Sequence, residues 1–203
     1  MNLLILNKEE SSSLPYLSIS DERAEHLRSV LKVRPGKTIR VGVNGGAQGV
    51  AEVLEVASNQ IFLKVNLEDA KEEIPKTDLI IALPRPQTLK KVLETASAMG
   101  VRRIVLTRAN RVEKSYFQSS LLKKENLERH LKLGMEQAIS TYMPELRIYK
   151  TFNEFLDKEL SKQELVKKHL LLAEPSAQSD ISGLALENQL SQDDGVVLAI
   201  GPE

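Results

Sequence analysis

Two stretches of this 203-residue chain end a run of apolar residues in a carboxylate beside a proline: LLLAEP, residues 170–175, and VLAIGPE, residues 197–203. Gly201 lets backbone approach a ligand closely, and Pro202 fixes a turn while leaving carbonyl oxygens free as acceptors. Such acceptors suit an adenine amino group or an amino-acid ammonium. Taken singly, each stretch is also what an ordinary strand-to-helix turn looks like. A second constellation, TRANRVEKSYFQS at 107–119, sets Arg108, Arg111 and Lys114 among Asn110, Ser115, Tyr116 and Phe117. Cations for phosphate and aromatics for bases suit a single-stranded RNA loop; the lesser alternative is an exposed loop with incidental charge. A third, RHLKLGMEQAISTYMPE at 129–145, places Glu136 and Gln137 mid-helix with Ser140 one turn on. A helix buries such a group when it points at a ligand or a partner subunit, and otherwise shows it to water.

The elements that must hold these residues fall into two regions. Up to about residue 67 the pattern is a small, mostly antiparallel β unit with one helix. Ser20 is placed to cap DERAEHLRSVLK, with Ala24, Leu27, Val30 and Leu31 on one face. TIRVGV and GVAEVLEV flank a Gly-containing hairpin connection, and QIFLKVNL follows. EDAKEEIPK, residues 68–76, reads as a linker. Beyond it the rhythm alternates. Strand DLIIALP leads to helix QTLKKVLETASAMG, then strand RRIVLT, then a long helix from about Leu121 to Tyr142. LRIYK, a helix FNEFLDKELS, HLLLAEP, a short helix near Gly183–Gln189 and VVLAI complete the chain. Alternating helices and apolar strands predict a parallel sheet covered on both faces, an α/β architecture. In such sheets ligands bind beyond the carboxyl ends of the strands. That directs attention to Pro84-Arg85-Pro86, Arg108–Arg111, Ala173-Glu174-Pro175 and Gly201-Pro202-Glu203.

Composition excludes several chemistries. There is no cysteine, hence no disulfide, thiolate metal site or cysteine nucleophile. His26, His130 and His169 lack metal-ligand spacing, and no dinucleotide fingerprint or P-loop occurs. No apolar run approaches the ~20 residues of a membrane helix, and the N-terminus lacks the features of a signal peptide; a soluble, cytoplasmic protein with no membrane partner is expected. The net charge of zero hides a pattern. Residues 76–150 carry 15 Lys+Arg against 7 Asp+Glu, a net of +8, between flanks of −2 and −6. A basic middle points to a polyanion partner or to solvated helix faces. A small-molecule α/β enzyme would be favoured if Lys90, Lys91, Arg102, Arg103, Arg108 and Arg111 were scattered rather than grouped on one face.

Together these pieces resemble the RsmE family, enzymes that methylate N3 of a uridine in the 16S ribosomal RNA of the small subunit, within the SPOUT superfamily of knotted methyltransferases. HLRSVLKVRPGKTIRVGVNGG is similar to its N-terminal signature. ALPRPQTLKKVLETASAMGVRRIVLTRANRVEKS is similar to its helix-Gly-Val-strand segment and arginine–serine loop. EQAIS resembles its Glu-Gln-Ser motif, and AIGPE the front half of its Ile-Gly-Pro-Glu-Gly-Gly loop.

The resemblance implies a PUA-like RNA-binding β-barrel domain over residues 1–70 and a SPOUT α/β-knot domain with a mostly parallel sheet over 71–203. It implies S-adenosyl-L-methionine as cofactor, no metal, and a homodimer with its active site at the subunit interface. Carried over by residue, the cofactor loops are Leu172, Ala173, Glu174 and Pro175 with Ile200, Gly201, Pro202 and Glu203. His26, Arg28, Lys32, Arg108, Arg111, Lys114 and Ser115 would face the RNA, with Arg111 stabilising charge on the uracil and Glu136 or Glu203 accepting the N3 proton. In the family the Gly-Pro-Glu loop runs on through further glycines to a helix and a last segment, so a chain shortened at its C-terminus, with an incomplete knot, is expected. Lys32 stands where the family usually has Arg, and Lys37 where it usually has Asp. A non-catalytic RNA-binding module is the alternative.

Overall fold

The computed structural model describes residues 2–68, 74–160, 169–174, 176–177 and 195–201. These divide into two compact units, Met1–Glu73 with Lys132–Met143, and Ile74–Leu131 with Pro144–Glu203.

The first unit is built on a five-stranded sheet in the order β1-β3-β4-β5-β2. Its strands are β1 (Leu4–Leu6), β2 (Tyr16–Ile19), β3 (Thr38–Val43), β4 (Gln48–Val56) and β5 (Ile61–Glu68). All pairings are antiparallel except β1 with β3. The β4–β5 register shifts between Val53 and Glu55, the kind of irregularity that bends and twists a ribbon. Alternate residues of β5, Ile61, Leu63 and Val65, point into the core beside Val41, Val53 and Leu27. Gly45, at φ +70°, lets the chain turn between β3 and β4.

Two helices accompany the sheet, α1 (Lys8–Ser11) and α2 (Glu22–Ser29). Asp21, rather than Ser20, caps α2, its carboxylate accepting from the Arg23 amide at 2.9 Å. Ala24 and Leu27 are 1% exposed, as expected, but Val30 is 62% exposed. The reason lies in the helix end. The amides of Val30 and Leu31 donate to the His26 carbonyl and that of Val33 to Leu27, while Lys32 adopts φ +47°. This is a left-handed C-terminal cap with a lysine in the glycine position, and it turns Val30 out of the apolar face while Leu31 still packs on the core. Lys37 donates from Nζ to the Leu31 carbonyl at 2.9 Å, so the departure from aspartate serves this same helix end. Lys32→Gly is expected to stabilise the protein by about 0.5–1 kcal/mol, read as a higher denaturation midpoint; a lower midpoint would contradict the cap.

The sequence gives no sign that residues 132–143 belong with this unit. Met135, with Ile139 and Met143 beside it, packs on Leu3 and Ile5. The Asn2 amide donates to the Glu136 carbonyl at 3.2 Å and its side chain to that of Gln137 at 3.0 Å. Thr141 is fully buried on the β3–β4 turn, donating from Oγ1 to the Gly46 carbonyl at 2.8 Å while its own carbonyl accepts from the Gly45 amide at 2.8 Å. A Cβ on Gly42 would meet Thr141 Cγ2 at 2.4 Å, so a side chain there would force buried Thr141 to shift.

In the second unit five strands, all parallel, lie in the order β8-β7-β6-β10-β9. They are β6 (Thr77–Ala82), β7 (Arg103–Thr107), β8 (Glu145–Tyr149), β9 (His169–Ala173) and β10 (Val196–Ile200). β6 and β7 are buried almost throughout, as their unbroken apolar runs require. Helix α3 (Pro86–Ala98) buries Leu89 and Leu93, and Gly100 follows it at φ +71°. Helix α4 (Lys124–Ala138) is shorter at both ends than its apolar pattern suggests, because a 3-10 turn at Ser120–Leu122 precedes it and Ile139 leaves it at φ +58°. The two helices are joined by Ser97 Oγ donating to the Leu131 carbonyl at 2.8 Å and by His130 Nδ1 to Glu94 at 2.7 Å. On the other sheet face Phe155 packs against Ile80, Val105, Tyr149 and Val197. The segment expected as one helix, FNEFLDKELS, is α5 (Phe152–Phe155) followed by a π-helical turn, Leu156–Leu160. The helix expected near Gly183–Gln189 lies outside the described residues.

Candidate functional site

The carboxyl ends of the parallel strands run Tyr149, Thr107, Ala82, Ile200, Ala173 along one edge of the sheet, following strand order. Neighbouring strands are ~4.8 Å apart, so the ends of β7 and β10 lie roughly 10 Å from each other, within the reach of one nucleoside-sized ligand. Two groups of expected site residues therefore share this edge.

On β9 and β10, Leu172 pairs with Ala199 and Ala173 with Ile200, so the two expected cofactor loops begin side by side. Leu172 is 69% exposed, and Ala173, Glu174, Ile200 and Gly201 are also exposed. A Cβ added at Gly201 would find no atom of the described residues within 4 Å, so among them one side of the backbone is open. Exposed apolar side chains beside accessible backbone suit an adenosyl group. Glu174 Oε1 accepts from Ser176 Oγ at 3.0 Å. Pro175, Pro202 and Glu203 lie outside the described residues.

At the end of β7 the chain turns through Arg108–Arg111, with the Val112 amide donating to the Ala109 carbonyl at 3.0 Å and Val112 buried as the anchor. Arg111 and Lys114 are exposed and Arg108 is half-buried. None of these three cations has a hydrogen-bond or ion-pair partner among the described residues. Ser115 is tied into the loop, donating to Glu113 at 3.3 Å. Thr107, 3% exposed, keeps a buried Oγ1 without a partner among the described residues; no pattern in the sequence marked it.

Arg102 and Arg103 behave differently. They sit at the amino ends of the strands and pair with Asp78, which is 1% exposed, at 2.7 and 2.8 Å. Arg103 also reaches Glu159, which accepts from Arg147 at 2.5 Å and from the Tyr149 hydroxyl. Burial acts to raise the Glu159 carboxyl, but the Tyr149 and Arg147 hydrogen bonds and the Arg147 and Arg103 charges outweigh it and hold it below the ordinary range. The basic residues of the middle region are thus split, with Arg102 and Arg103 neutralised inside the unit and Arg108, Arg111 and Lys114 unpaired at the opposite edge. An aspartate opening one apolar strand and an Arg-Arg pair opening the next was the signal in the sequence for that inner network.

The remaining expected residues lie in the first unit. Arg28 is ion-paired to Glu25 at 2.6 Å, His26 is half-buried with Nε2 lacking a partner among the described residues, and Lys32 is exposed. Glu136 is half-buried, and burial raises its carboxyl to about 7, with Arg23 and Lys132 acting against the rise. That places Glu136 in the range where a carboxylate accepts a proton near neutral pH. The folded value exceeds the unfolded one, so the stability contributed by protonated Glu136 is present below about pH 4.5 and lost as pH rises through about 7. Glu136→Gln is expected to gain about 1–2 kcal/mol relative to wild type on going from pH 5 to pH 8, allowing for solvent screening of a partly exposed group. Denaturant unfolding at both pH values measures it, and a pH-independent difference would contradict the burial.

Among the described residues no group of three or more His, Cys, Asp or Glu could hold a metal, and no helix is long and apolar enough to cross a membrane.

Comparison with known proteins adds the family. Residues 71–203 match the model of the RNA methyltransferase domain. The whole chain is 26% identical to the ribosomal RNA small subunit methyltransferase E 1 of Borreliella burgdorferi, spanning 81% of it. It is 27% identical to the ribosomal RNA small subunit methyltransferase E of Treponema pallidum, spanning 76% of it. Among solved structures, that of a ribosomal RNA small subunit methyltransferase E from Neisseria gonorrhoeae bound to S-adenosyl methionine superposes with a TM-score of 0.71 at 17% identity, covering 98% of this chain and 80% of that one. The match of the domain model over most of the chain, with full-length relatives of one kind, carries the conclusion: this chain belongs to the RNA methyltransferase domain family, as a member of its RsmE group.

Proposed function

We propose that the protein transfers a methyl group from S-adenosylmethionine to N3 of a uridine in the 16S ribosomal RNA of the small subunit. The observation that carries this reading is the pairing of two features on one sheet edge: open strand ends at Ala173 and Ile200–Gly201, and unpaired cations at Arg108, Arg111 and Lys114 about two strands away. The relatives' names, and a structural neighbour holding S-adenosyl methionine, support it.

Leu172, Ala173, Glu174, Pro175, Ile200, Gly201, Pro202 and Glu203 would hold the cofactor. When bound, its sulfonium supplies an electrophilic methyl group. The chain's task is then to make uracil N3 nucleophilic and aligned. Arg111, exposed and unpaired, would meet the uracil oxygens and stabilise the negative charge that develops as the N3 proton leaves. Glu136 or Glu203 would accept that proton. Arg108 and Lys114 would hold backbone phosphates, fixing the base against the cofactor. In this reading residues 1–70 are a PUA-like barrel gripping RNA, partly through His26, Arg28 and Lys32, and residues 71–203 are the SPOUT-type α/β transferase domain. The enzyme would work as a cytoplasmic homodimer; Leu170 and Leu172, 60% and 69% exposed on edge strand β9, offer apolar surface for a second subunit.

Calorimetric titration with S-adenosylmethionine, beside binding to a small-subunit ribosomal RNA transcript at several salt concentrations, tests the reading. Binding of both is expected. Salt-sensitive RNA binding with no cofactor binding would replace it with a non-catalytic RNA-binding module.

A further inference from the structure

Tyr116 was expected to offer its ring to a base, yet its hydroxyl is committed. It donates to Glu113 Oε1 at 3.0 Å and accepts from Arg85 Nε at 3.2 Å. The order of these two bonds is forced. Arg85 can only donate and an ionised Glu113 can only accept, so the phenol must give its proton to Glu113 and turn an oxygen lone pair to Arg85. The carboxylate behind the phenol polarises it and makes that oxygen a better acceptor. Ser115 donates to the other Glu113 oxygen at 3.3 Å, which holds the carboxylate in place.

The chain Arg85–Tyr116–Glu113 joins two strand-end loops of the same edge. Arg85 follows β6 and the other two follow β7, whose ends are already joined by the Leu83 amide donating to the Thr107 carbonyl at 2.8 Å. Arg85 is exposed, and only its Nε is engaged. Its two Nη groups, the planar fork that fits a phosphate bidentately, have no partner among the described residues. A guanidinium held at Nε with its fork free is pre-organised for an anion. We propose that Arg85 is a further contact to a backbone phosphate of the RNA substrate, and that Tyr116 is the positioning residue which aims it, with Glu113 fixing Tyr116. This rests on the RNA-methyltransferase reading, because the ligand it names is that enzyme's substrate. It divides the basic edge into cations without a partner among the described residues, at Arg108, Arg111 and Lys114, and one anchored cation at Arg85.

The test uses the full chain and a small-subunit ribosomal RNA transcript as probe, with affinity measured over a range of salt. Arg85→Ala is expected to weaken RNA binding about tenfold and to lower the slope of log affinity against log salt by about one. Arg85→Lys keeps the charge but loses the Nε anchor and the fork, so it should keep the slope and still bind several-fold more weakly. Tyr116→Phe should match Arg85→Lys, and adding it to Arg85→Ala should cost nothing more. All positions are at the surface or half-buried, and an unchanged unfolding midpoint identifies the loss as one of contact. Wild-type RNA binding with an unaltered affinity and slope in Arg85→Ala overturns the proposal alone. Additive losses for Tyr116→Phe and Arg85→Ala overturn the positioning role. Failure of the wild-type chain to bind the transcript instead overturns the underlying reading.

Discussion

Arg111→Ala is expected to lower methyl transfer to ribosomal RNA about 100- to 1,000-fold while leaving S-adenosylmethionine affinity nearly unchanged. The asymmetry follows from where the residue stands. Arg111 lies in the turn after β7, anchored by buried Val112, and its guanidinium has no partner among the described residues. An unpaired, exposed cation contributes little to the fold, so removing it should not disturb the strand ends at Ala173 and Gly201, where the cofactor is proposed to bind. Its expected work is done when the N3 proton leaves and charge spreads over the uracil oxygens. A group that acts only on developing charge changes the turnover step more than ground-state binding. Single-turnover rates with saturating RNA, beside calorimetric cofactor affinity, separate the two. Equal losses in both would count against the role, and wild-type turnover would end it. Arg111→Lys should recover part of the rate, since it restores the charge without the fork.

Gly201→Val should abolish measurable cofactor binding, a loss of at least about 100-fold, without unfolding the protein. Among the described residues nothing lies within 4 Å of where the new Cβ would stand, so that atom meets no obstacle there. The isopropyl group would instead fill the open side of the backbone, next to exposed Ile200 and the Ala173 strand end, where an adenosyl group is expected to approach. Compare Gly42, where any side chain would strike Thr141 and the loss would be one of folding. Measuring the unfolding midpoint beside the titration keeps those two outcomes apart. Undiminished affinity with an intact fold would remove Gly201 from the cofactor site.

Much of the transferase unit was legible because its signals are local. Unbroken apolar runs at Leu79–Ala82 and Ile104–Leu106 mark strands covered on both faces, and Gly100 marks the end of α3 by its positive φ. The likeness of the two strand endings was also legible, whereas the pairing of Ala173 with Ile200 came only from the structure. What was not legible depends on an unusual backbone conformation or on contacts distant in sequence. Lys32 occupies a left-handed cap normally given to glycine, so the pattern carried Val30 into the helix face although the helix has already ended. Met135, Ile139 and Met143 look like the continuation of a transferase helix, and only the structure shows them packed on Leu3 and Ile5. Arg102 and Arg103 counted toward a basic surface until Asp78 and Glu159 were found to neutralise them. Charge in a sequence is additive, whereas charge at a surface is what remains after the interior pairs have formed. For the same reason the site reduces to fewer cations than the composition of residues 76–150 suggests.

The central claim is the transfer of a methyl group to uridine N3, and its most direct test is to incubate the chain with methyl-labelled S-adenosylmethionine and small ribosomal subunits or their 16S RNA and map the label. The account predicts label at one uridine, with reverse transcription stopping beside it, because a methyl on N3 blocks Watson–Crick pairing. Label on a ribose hydroxyl or on another base atom, or no transfer by a chain shown to bind both cofactor and RNA, would contradict it.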